Sequence, residues 1–584
     1  MADQYFMFAL LAVTLFLFIW GRWRYDVVAV MALMAAVLGG LVDPKQAFLG
    51  FGHPAVVTVG AVLALSAALQ NAGVVGLFLQ LFSKVSDSFI VQLTVLNGMI
   101  ALISGFMNNI GALAILLPVT LQMAKQAGRS ASQYLMPVAF SSLLGGMVTL
   151  IGTPPNIIVS MMREEIAGSP FTMFAFAPVG FGVMIAGVAY LSLVGWRLLP
   201  IRKGKPQGED LFDVGDYVME LTVTEKKDQT VKEFEQKVDG DLTVLGIIRR
   251  GVHLQNPKAN DHIEHGDVLL VEADSEILDE IEGCELTQDI DLEKEIIGSQ
   301  ELQVEEVVVT AGSSLIGKRA GKVRLRARFG VNLLAISRSG KRILKRISDV
   351  QFQAGDVLLL RGSEASIAEL VAQLGCLPLQ YRGLKVGESK GMFVCLGVFG
   401  AAIGLTAAGF VPIQVSFVCA VVILHVLGLL PLKEIYRSID WGILILLGAL
   451  IPLGSALEST GAAASIAHGI LKLGDGFSPT VVLAIVLIGT MFLSDLVNNA
   501  TAAVLMVPIA FSIAQALGVS ADSFLMAVAI GASCPFLTPI GHQCNAIILG
   551  PGGYQFRDYW KVGLLLEVII VAVSIPLLRI FWPF

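Results

Sequence analysis

Charge is what this 584-residue chain has least of. Only 15% of it is Asp, Glu, Lys or Arg, where soluble domains average ~25%. That scarcity excludes an ordinary soluble protein, and the net charge of −7 gives no reason to expect a nucleic-acid partner. Six cysteines (Cys284, Cys376, Cys395, Cys419, Cys534 and Cys544) show neither metal-site spacing nor a disulfide framework, and seven scattered histidines make no metal motif. No activated nucleophile, phosphate-binding P-loop or metal motif is present, which argues against an enzyme. No TVGYG-type filter is present either, which argues against a potassium pore.

Apolar residues take that place. They make up 55% of the chain, its mean hydropathy is +0.75, and many runs approach the ~20 residues that cross a bilayer. The pattern predicts a polytopic helical membrane protein with helices at about 5–20, 26–42, 54–70, 90–106, 110–123, 134–164 and 171–198. It resumes at about 391–409, 412–431, 440–457, 462–473, 479–495, 500–517, 522–549 and 562–582. An amphipathic piece is expected at about 71–86. The run Phe6–Trp20 lacks a basic start and a small-residue cleavage site, so it reads as a retained helix. Between the two apolar blocks, from about Pro206 to Leu379, the chain is charged and unsuited to lipid. The expected divisions are therefore 1–205, 206–289, 290–380 and 381–584.

The two apolar blocks repeat each other. SGFMNNIGALAILLPVTL (Ser104–Leu121) aligns without a gap with SDLVNNATAAVLMVPIAF (Ser494–Phe511). They share the serine, both asparagines (Asn108-Asn109 and Asn498-Asn499), Ala112 with Ala502 and Pro118 with Pro508. Each is followed by a second break. LIGTPPNIIV (Leu150–Val159) pairs with FLTPIGHQCNAIIL (Phe536–Leu549) through Thr-Pro, a later Asn and an isoleucine pair. Polar groups in hydrocarbon are costly unless satisfied or lining a cavity. Interrupted helices at matching places in two halves mark the binding site of a secondary transporter. The plainer alternative is that the asparagines only join helices.

Basic residues collect at Arg22/Arg24, Lys125/Arg129, Arg197/Arg202/Lys203/Lys205, Arg382/Lys385/Lys390, Lys433/Arg437 and Arg557/Lys561. If all are cytoplasmic, the halves are inverted. Each broken pair then forms a re-entrant hairpin, the two tips meet near the bilayer midplane, and the charged insert lies in the cytoplasm of a cell (inner or plasma) membrane protein.

The insert repeats internally as well. LTVLGIIRRG (Leu242–Gly251) matches VNLLAISRSG (Val331–Gly340), and IEHGDVLLVEADSEILDEI (Ile263–Ile281) matches FQAGDVLLLRGSEASIAEL (Phe352–Leu370). Copies fall at about 210–285 and 298–376, each read as strand, short helix, strand, turn, strand, helix. Gly266-Asp267 and Gly355-Asp356 read as turns. A basic run (Lys318, Arg319, Lys322, Arg324, Arg326, Arg328) follows an acidic stretch from Asp279 to Glu306. It is either a site for a nucleotide or other anionic effector, or a solvated face.

The paired GDVLL turns and strand order of the insert resemble two C-terminal subdomains of the TrkA/RCK module known from potassium-transport regulators. The membrane halves resemble the divalent anion–sodium symporter family. GTPPN at Gly152–Asn156, MNNIGAL and VNNATAA carry that likeness. The resemblance implies a homodimer, elevator-like motion of hairpins and broken helices against a scaffold, and sodium sites where hairpin tip meets broken-helix loop. By position it implies Ser104, Asn108, Asn109 and Gly152 at one sodium site, and Ser494, Asn498, Asn499 and Thr538 at the other; Asp495, an acid at this depth, joins the second as a candidate cation ligand. It places Asn109, Thr153, Pro154, Asn156, Asn499, Thr501, Gly541 and Asn545 around the anion. The family's tip threonine is Ile110 and Ala500 here, and asparagine replaces the motif serine at both tips. These departures resemble the sulfate-transporting branch rather than a dicarboxylate carrier.

The chemistry suits that assignment. A hard cation takes oxygen ligands, and unwound helix ends offer spare carbonyls to a cation and N–H groups to an anion. Asparagine supplies both kinds of group. No Lys or Arg lies in these stretches, so neutral donors, helix dipoles and bound sodium would hold the anion. Asp495 replaces Gly105 of the first half and reads equally as a cation ligand or proton carrier and as a helix cap. His542 reads as a packed loop residue or a substrate donor. A proton–sodium antiporter, an arsenite-type pump partner and a gated cation pathway are the competing classes.

Overall fold

The structure is a computed structural model. It describes residues 2–20, 23–72, 88–200, 389–473 and 477–584, most of 218–272, 284–286, and most of 303–379. All but the start of the expected amphipathic piece lies outside the described residues. So do Arg22, Arg202, Lys203, Lys205, Arg382, Lys385 and most of the acidic stretch Asp279–Glu306. The chain divides into two compact units, Met1–Arg202 with Tyr381–Phe584, and Lys203–Gln380.

The first unit is helical. Among the described residues six helices are long and apolar enough to cross a membrane: Asp3–Trp20, Ala177–Leu198, Trp441–Ser459, Pro479–Leu496, Asn499–Leu517 and Phe556–Phe581. Shorter apolar helices accompany them, among them Tyr25–Leu38, Pro54–Gln70, Phe89–Ser104, Gly391–Ala407, Ile413–Val426 and Ala521–Ala532. A helix keeps its backbone bonds internal, which lipid demands. The polar ends must then be satisfied locally, and the two asparagine pairs show how.

Phe89–Ser104 and Asn109–Gln126 form the first hairpin; Pro479–Leu496 and Asn499–Leu517 form the second. Asn108 and Asn498 are N-caps of the returning arms. Their Oδ1 atoms accept from the Ile110 amide at 3.3 Å and the Ala500 amide at 2.9 Å. The returning arm of the first hairpin extends three residues beyond the expected end, to Gln126. Its length of 18 residues therefore does not by itself argue for re-entry.

The first broken helix is Ser132–Gly146 followed by Pro154–Ala167; the second is Ala521–Ala532 followed by Gln543–Leu549. Each leading segment packs on the first arm of its own hairpin. Across the repeats, Asn499–Leu517 packs on Pro154–Ala167, and Gln543–Leu549 packs on Ser132–Gly146. Two polar pins reinforce this exchange. Arg163, late in the first broken helix, grips Asp522 at the start of the second, Nε to Oδ1 at 2.7 Å and Nη2 to Oδ2 at 2.9 Å. Tyr554, just past the second broken helix, donates to the Ser132 carbonyl at 2.6 Å and accepts from the Met136 amide at 2.9 Å. Each repeat thus holds the start of the other's broken helix.

The second unit contains two five-stranded antiparallel sheets. The first is built from β1 (Val218–Val223), β3 (Thr243–Arg249), β4 (Val252–Gln255), β6 (Val268–Glu272) and β7 (Cys284–Leu286), in the order β4-β3-β6-β1-β7. β2 (Gln229–Thr230) and β5 (His262–Ile263) pair separately. The second is built from β8 (Gln303–Val309), β9 (Asn332–Arg338), β10 (Lys341–Arg342), β11 (Val357–Gly362) and β12 (Cys376–Pro378), in the order β10-β9-β11-β8-β12. The strand order is the same in both. Alternating Val, Ile and Leu on the inner faces build the two cores.

The Gly-Asp turns do more than reverse the chain. Gly266 and Gly355 take φ of +84° and +85°, the left-handed region that favours glycine. The following aspartates are buried and receive a two-pronged arginine from the end of the neighbouring strand. Arg249 Nε and Nη2 meet Asp267 at 2.9 and 2.8 Å, and Arg338 meets Asp356 at 2.7 and 2.8 Å. Hydrogen bonding to these carboxylates holds both guanidiniums above their ordinary pKa.

Candidate functional site

The predicted residues gather at two junctions, one per repeat, each where a hairpin tip meets the gap in a broken helix. At the first, the Ser104 hydroxyl donates to Asn109 Oδ1 at 2.6 Å. Ser142 donates to the Asn109 carbonyl at 2.9 Å and lies 3.2 Å from Ser104 Oγ. The Thr149 hydroxyl donates to the Gly105 carbonyl. Asn156 Nδ2 reaches back across the gap to the Thr149 carbonyl at 2.9 Å and the Gly146 carbonyl at 3.4 Å.

The second junction copies this plan. Thr538 donates to the Asp495 carbonyl at 2.9 Å. Asn545 Nδ2 reaches the Thr538 carbonyl at 3.0 Å and the Pro535 carbonyl at 2.7 Å. The equivalences are therefore Thr149 with Thr538, Asn156 with Asn545, and Gly105 with Asp495. This corrects the letter-by-letter match of the two Thr-Pro pairs. Thr153 corresponds to His542 instead: both cap the following helix in the same extended conformation, φ −146° and −142°. His542 is a packed cap, its Nδ1 accepting from the Cys544 amide at 3.1 Å.

Glycine at the gaps is required by close approach. A Cβ on Gly152 would lie 2.5 Å from the Gly146 carbonyl oxygen, and one on Gly541 would lie 2.6 Å from Pro535 Cβ and 2.8 Å from the Ser494 carbonyl oxygen. The second tip differs in detail. Ser494 donates to the Ala532 carbonyl at 2.6 Å, and Asn499 Oδ1 accepts from the Ala500 amide at 2.8 Å. Asp495 is not a helix cap, since Asn498 has that role. Its Oδ1 accepts from the Leu537 amide at 2.9 Å, across the gap.

Several predicted residues hold buried polar atoms with no hydrogen-bond partner among the described residues: Thr153 Oγ1, Thr501 Oγ1, Asn545 Oδ1 and Asp495 Oδ2. Leaving such groups unpaired costs about 1–3 kcal/mol each. Their concentration at the two junctions is what a ligand-binding site would show. Pro154, at the first helical position after the gap, offers shape and a missing N–H rather than a side-chain contact. Sequence reasoning missed Ser142 and Thr149. The signal for Thr149 was its separation from Thr538, equal to that of Asn156 from Asn545, hidden by the more conspicuous Thr-Pro match.

The model of the citrate transporter family matches residues 15–531 and 476–583, nearly the whole chain. This chain belongs to the citrate transporter family. It is a transporter and an integral membrane protein rather than an enzyme. Across 95% of its length it is 32% identical to an uncharacterised transporter of Synechocystis, of which it covers 93%. It is 29% identical to the uncharacterised transporter YfbS of Escherichia coli over 99% of this chain and 98% of that one. Over half of this chain, and 34% of the relative, it is 26% identical to sodium/sulfate cotransporter 2 of Chlamydomonas reinhardtii. In this citrate transporter family member the two junctions are the places where broken backbone, hydroxyls and amides converge, and the tip and gap stretches contain no Lys or Arg.

Proposed function

We propose that this chain is a sodium-coupled symporter for a small divalent anion, sulfate ahead of a dicarboxylate. The observation that carries this reading is the pair of matching junctions. Each combines main-chain carbonyl and hydroxyl oxygens, which keep a further lone pair suited to a hard cation, with asparagine NH₂ groups and helix N-termini, suited to an anion. The unpartnered Thr153 and Thr501 hydroxyls lie at positions assigned to the anion and can donate to it, whereas the unpartnered Asn545 Oδ1 is an acceptor and suits a cation. Sodium would be held by Ser104, Asn108, Asn109 and Gly152 at one junction and by Ser494, Asp495, Asn498, Asn499 and Thr538 at the other. Sulfate is favoured by the Asn-Asn tips and by the likeness to the sodium/sulfate cotransporters of Chlamydomonas reinhardtii; the family's own name keeps carboxylates as the second reading.

The same reading makes the hairpins and broken helices a mobile elevator domain in a homodimer. It also makes the insert a cytoplasmic pair of TrkA-C-like regulatory domains. In the second of these, Lys318, Arg319, Lys322, Arg324 and Arg328 are exposed and form the face for an anionic effector such as a nucleotide. Arg326 instead donates to the Pro257 carbonyl at 3.0 Å.

The test is uptake of labelled sulfate, succinate, citrate and potassium into proteoliposomes, with and without an inward sodium gradient. Sodium-stimulated sulfate accumulation is expected. Uptake of succinate or citrate in preference to sulfate moves the substrate to the carboxylates, and potassium flux without anion uptake removes the symport reading altogether.

A further inference from the structure

One half-buried acid outside the predicted set faces the second junction. Glu567 lies midway along the last helix, Phe556–Phe581, which packs on the first arm of the second hairpin. Its carboxyl group faces that of Asp495 as a side-chain pair. Asp495 is only 3% exposed. Asp495 Oδ2 and Glu567 Oε1 are both buried and without a hydrogen-bond partner among the described residues. The two carboxyl groups lie within hydrogen-bonding reach of each other; when both are ionised they repel, and removal from water makes that repulsion expensive.

We infer that Asp495 and Glu567 together bind a monovalent metal cation between their carboxyl groups, with Glu567 a ligand of the second junction that the first junction lacks. This rests on the proposal that the second junction is a cation site. No other described group neutralises the pair. The helices around it, Ala177–Tyr190, Pro479–Leu496 and Asn499–Leu517, contain no basic residue, and Asp522 at the start of Ala521–Ala532 is taken by Arg163. Lys561 on the Glu567 helix is nearest Asp558, at 3.9 Å. Cys534 is the remaining titratable neighbour.

The size of the charge follows from the backbone. The Leu537 and Thr538 amides act on Asp495, and the Phe536 amide acts on Glu567. These N–H groups offset part of the two negative charges and also oppose a dense divalent ion, which would demand six or more oxygens. A single positive charge is what remains to be balanced. The site belongs to one repeat only. Gly105 occupies the position equivalent to Asp495, and the helix equivalent to that of Glu567, Ala177–Leu198, contains no acid. The two junctions therefore differ: one is built from neutral oxygens, the other adds carboxylates.

The experiment is binding of radiolabelled sodium to purified full-length protein with no anion present, with lithium, potassium and calcium as competitors. Glu567→Gln keeps the shape and removes the charge. It should weaken the tighter class of sodium sites about a hundredfold or more, the order expected when a buried charge loses its partner, while a weaker class dependent on Asn109 persists. Glu567→Asp, which restores a carboxylate, should recover part of the loss; a purely packing role would make Asp and Gln equally harmful. Sodium isotherms identical in wild type and Glu567→Gln overturn the inference, as does displacement by calcium in preference to lithium. Because no anion is used, a failure of sulfate uptake leaves this result standing, and a failure here leaves the anion assignment standing.

Discussion

Asn109 and Asn499 stand at equivalent tips but spend their oxygens differently. Asn109 Oδ1 takes the Ser104 hydroxyl, and Asn499 Oδ1 takes the adjacent Ala500 amide. In both cases one lone pair of the oxygen is engaged within the protein, leaving the other for a cation and the NH₂ group for an anion. Changing either residue to Asp keeps the oxygen and the size, removes the NH₂ donors and adds a negative charge. Sodium affinity should be kept or tightened, and anion affinity should fall by at least about tenfold. Equilibrium binding to folded, purified variants measures both. Unchanged anion affinity in both Asp variants would sink the assignment of the tips. The tips were legible because a polar pair in an apolar run has few explanations. The Arg249–Asp267 and Arg338–Asp356 pairs were not, because a Gly-Asp turn looks complete locally and its partner comes from another strand. Cys376 of the insert shows the same limit. Burial pushes its thiol up to about 12 from an ordinary 9.0. An unfolded chain ionises this thiol first, so its contribution to stability is full below 9.0 and is lost as pH climbs toward about 12. Proteolysis of the insert followed across that range should accelerate in wild type more than in Cys376→Ala.

At the scale of elements, nearly every membrane helix and both gaps were legible from apolar runs and their interruptions. The pairing of the gaps was not. Identical letters suggested that Thr153 equals Thr538, whereas the hydrogen bonds across the gap pair Thr149 with Thr538. What is repeated is a carbonyl-to-amide bridge, and a bridge can keep its geometry while its flanking residues drift. The cross-repeat pin between Arg163 and Asp522 was equally invisible, since nothing local connects a mid-helix arginine to an acid several hundred positions away. Its side chains are 18% and 24% exposed, well below a surface pair. Arg163→Ala and Asp522→Ala should each destabilise the first unit by about 3 kcal/mol, and the double variant should cost less than the sum by about 1–3 kcal/mol. Thermal unfolding in detergent measures this cycle. Strict additivity would show that the two groups do not act together.

The whole molecule is two compact units with the insert between the halves of the first. Each insert copy has its own sheet and buried core, so removal of residues about 208–378 should leave the membrane unit folded and change only the rate of transport or its regulation. Monodisperse, sodium-responsive protein after deletion is the expected result. Loss of folding would make the insert a structural member rather than a regulator. The duplicated plan was legible because repetition needs no knowledge of contacts. The sharing of the broken helices between repeats was not, because only the folded chain shows which partner each segment chooses.

That sharing sets an order of events during synthesis. Arg163 and the Ser132–Met136 turn leave the ribosome long before Asp522 and Tyr554, with the whole insert made in between. The early half must sit in the bilayer with a guanidinium that has Ser169, Pro170 and the Phe171 ring but no counter-charge, and with the start of its broken helix unpinned, until the late half arrives. A ribosome stalled just after the insert should hold an early half that proteases cut readily near the gap at Gly152. Release past Tyr554 should close that window in one step.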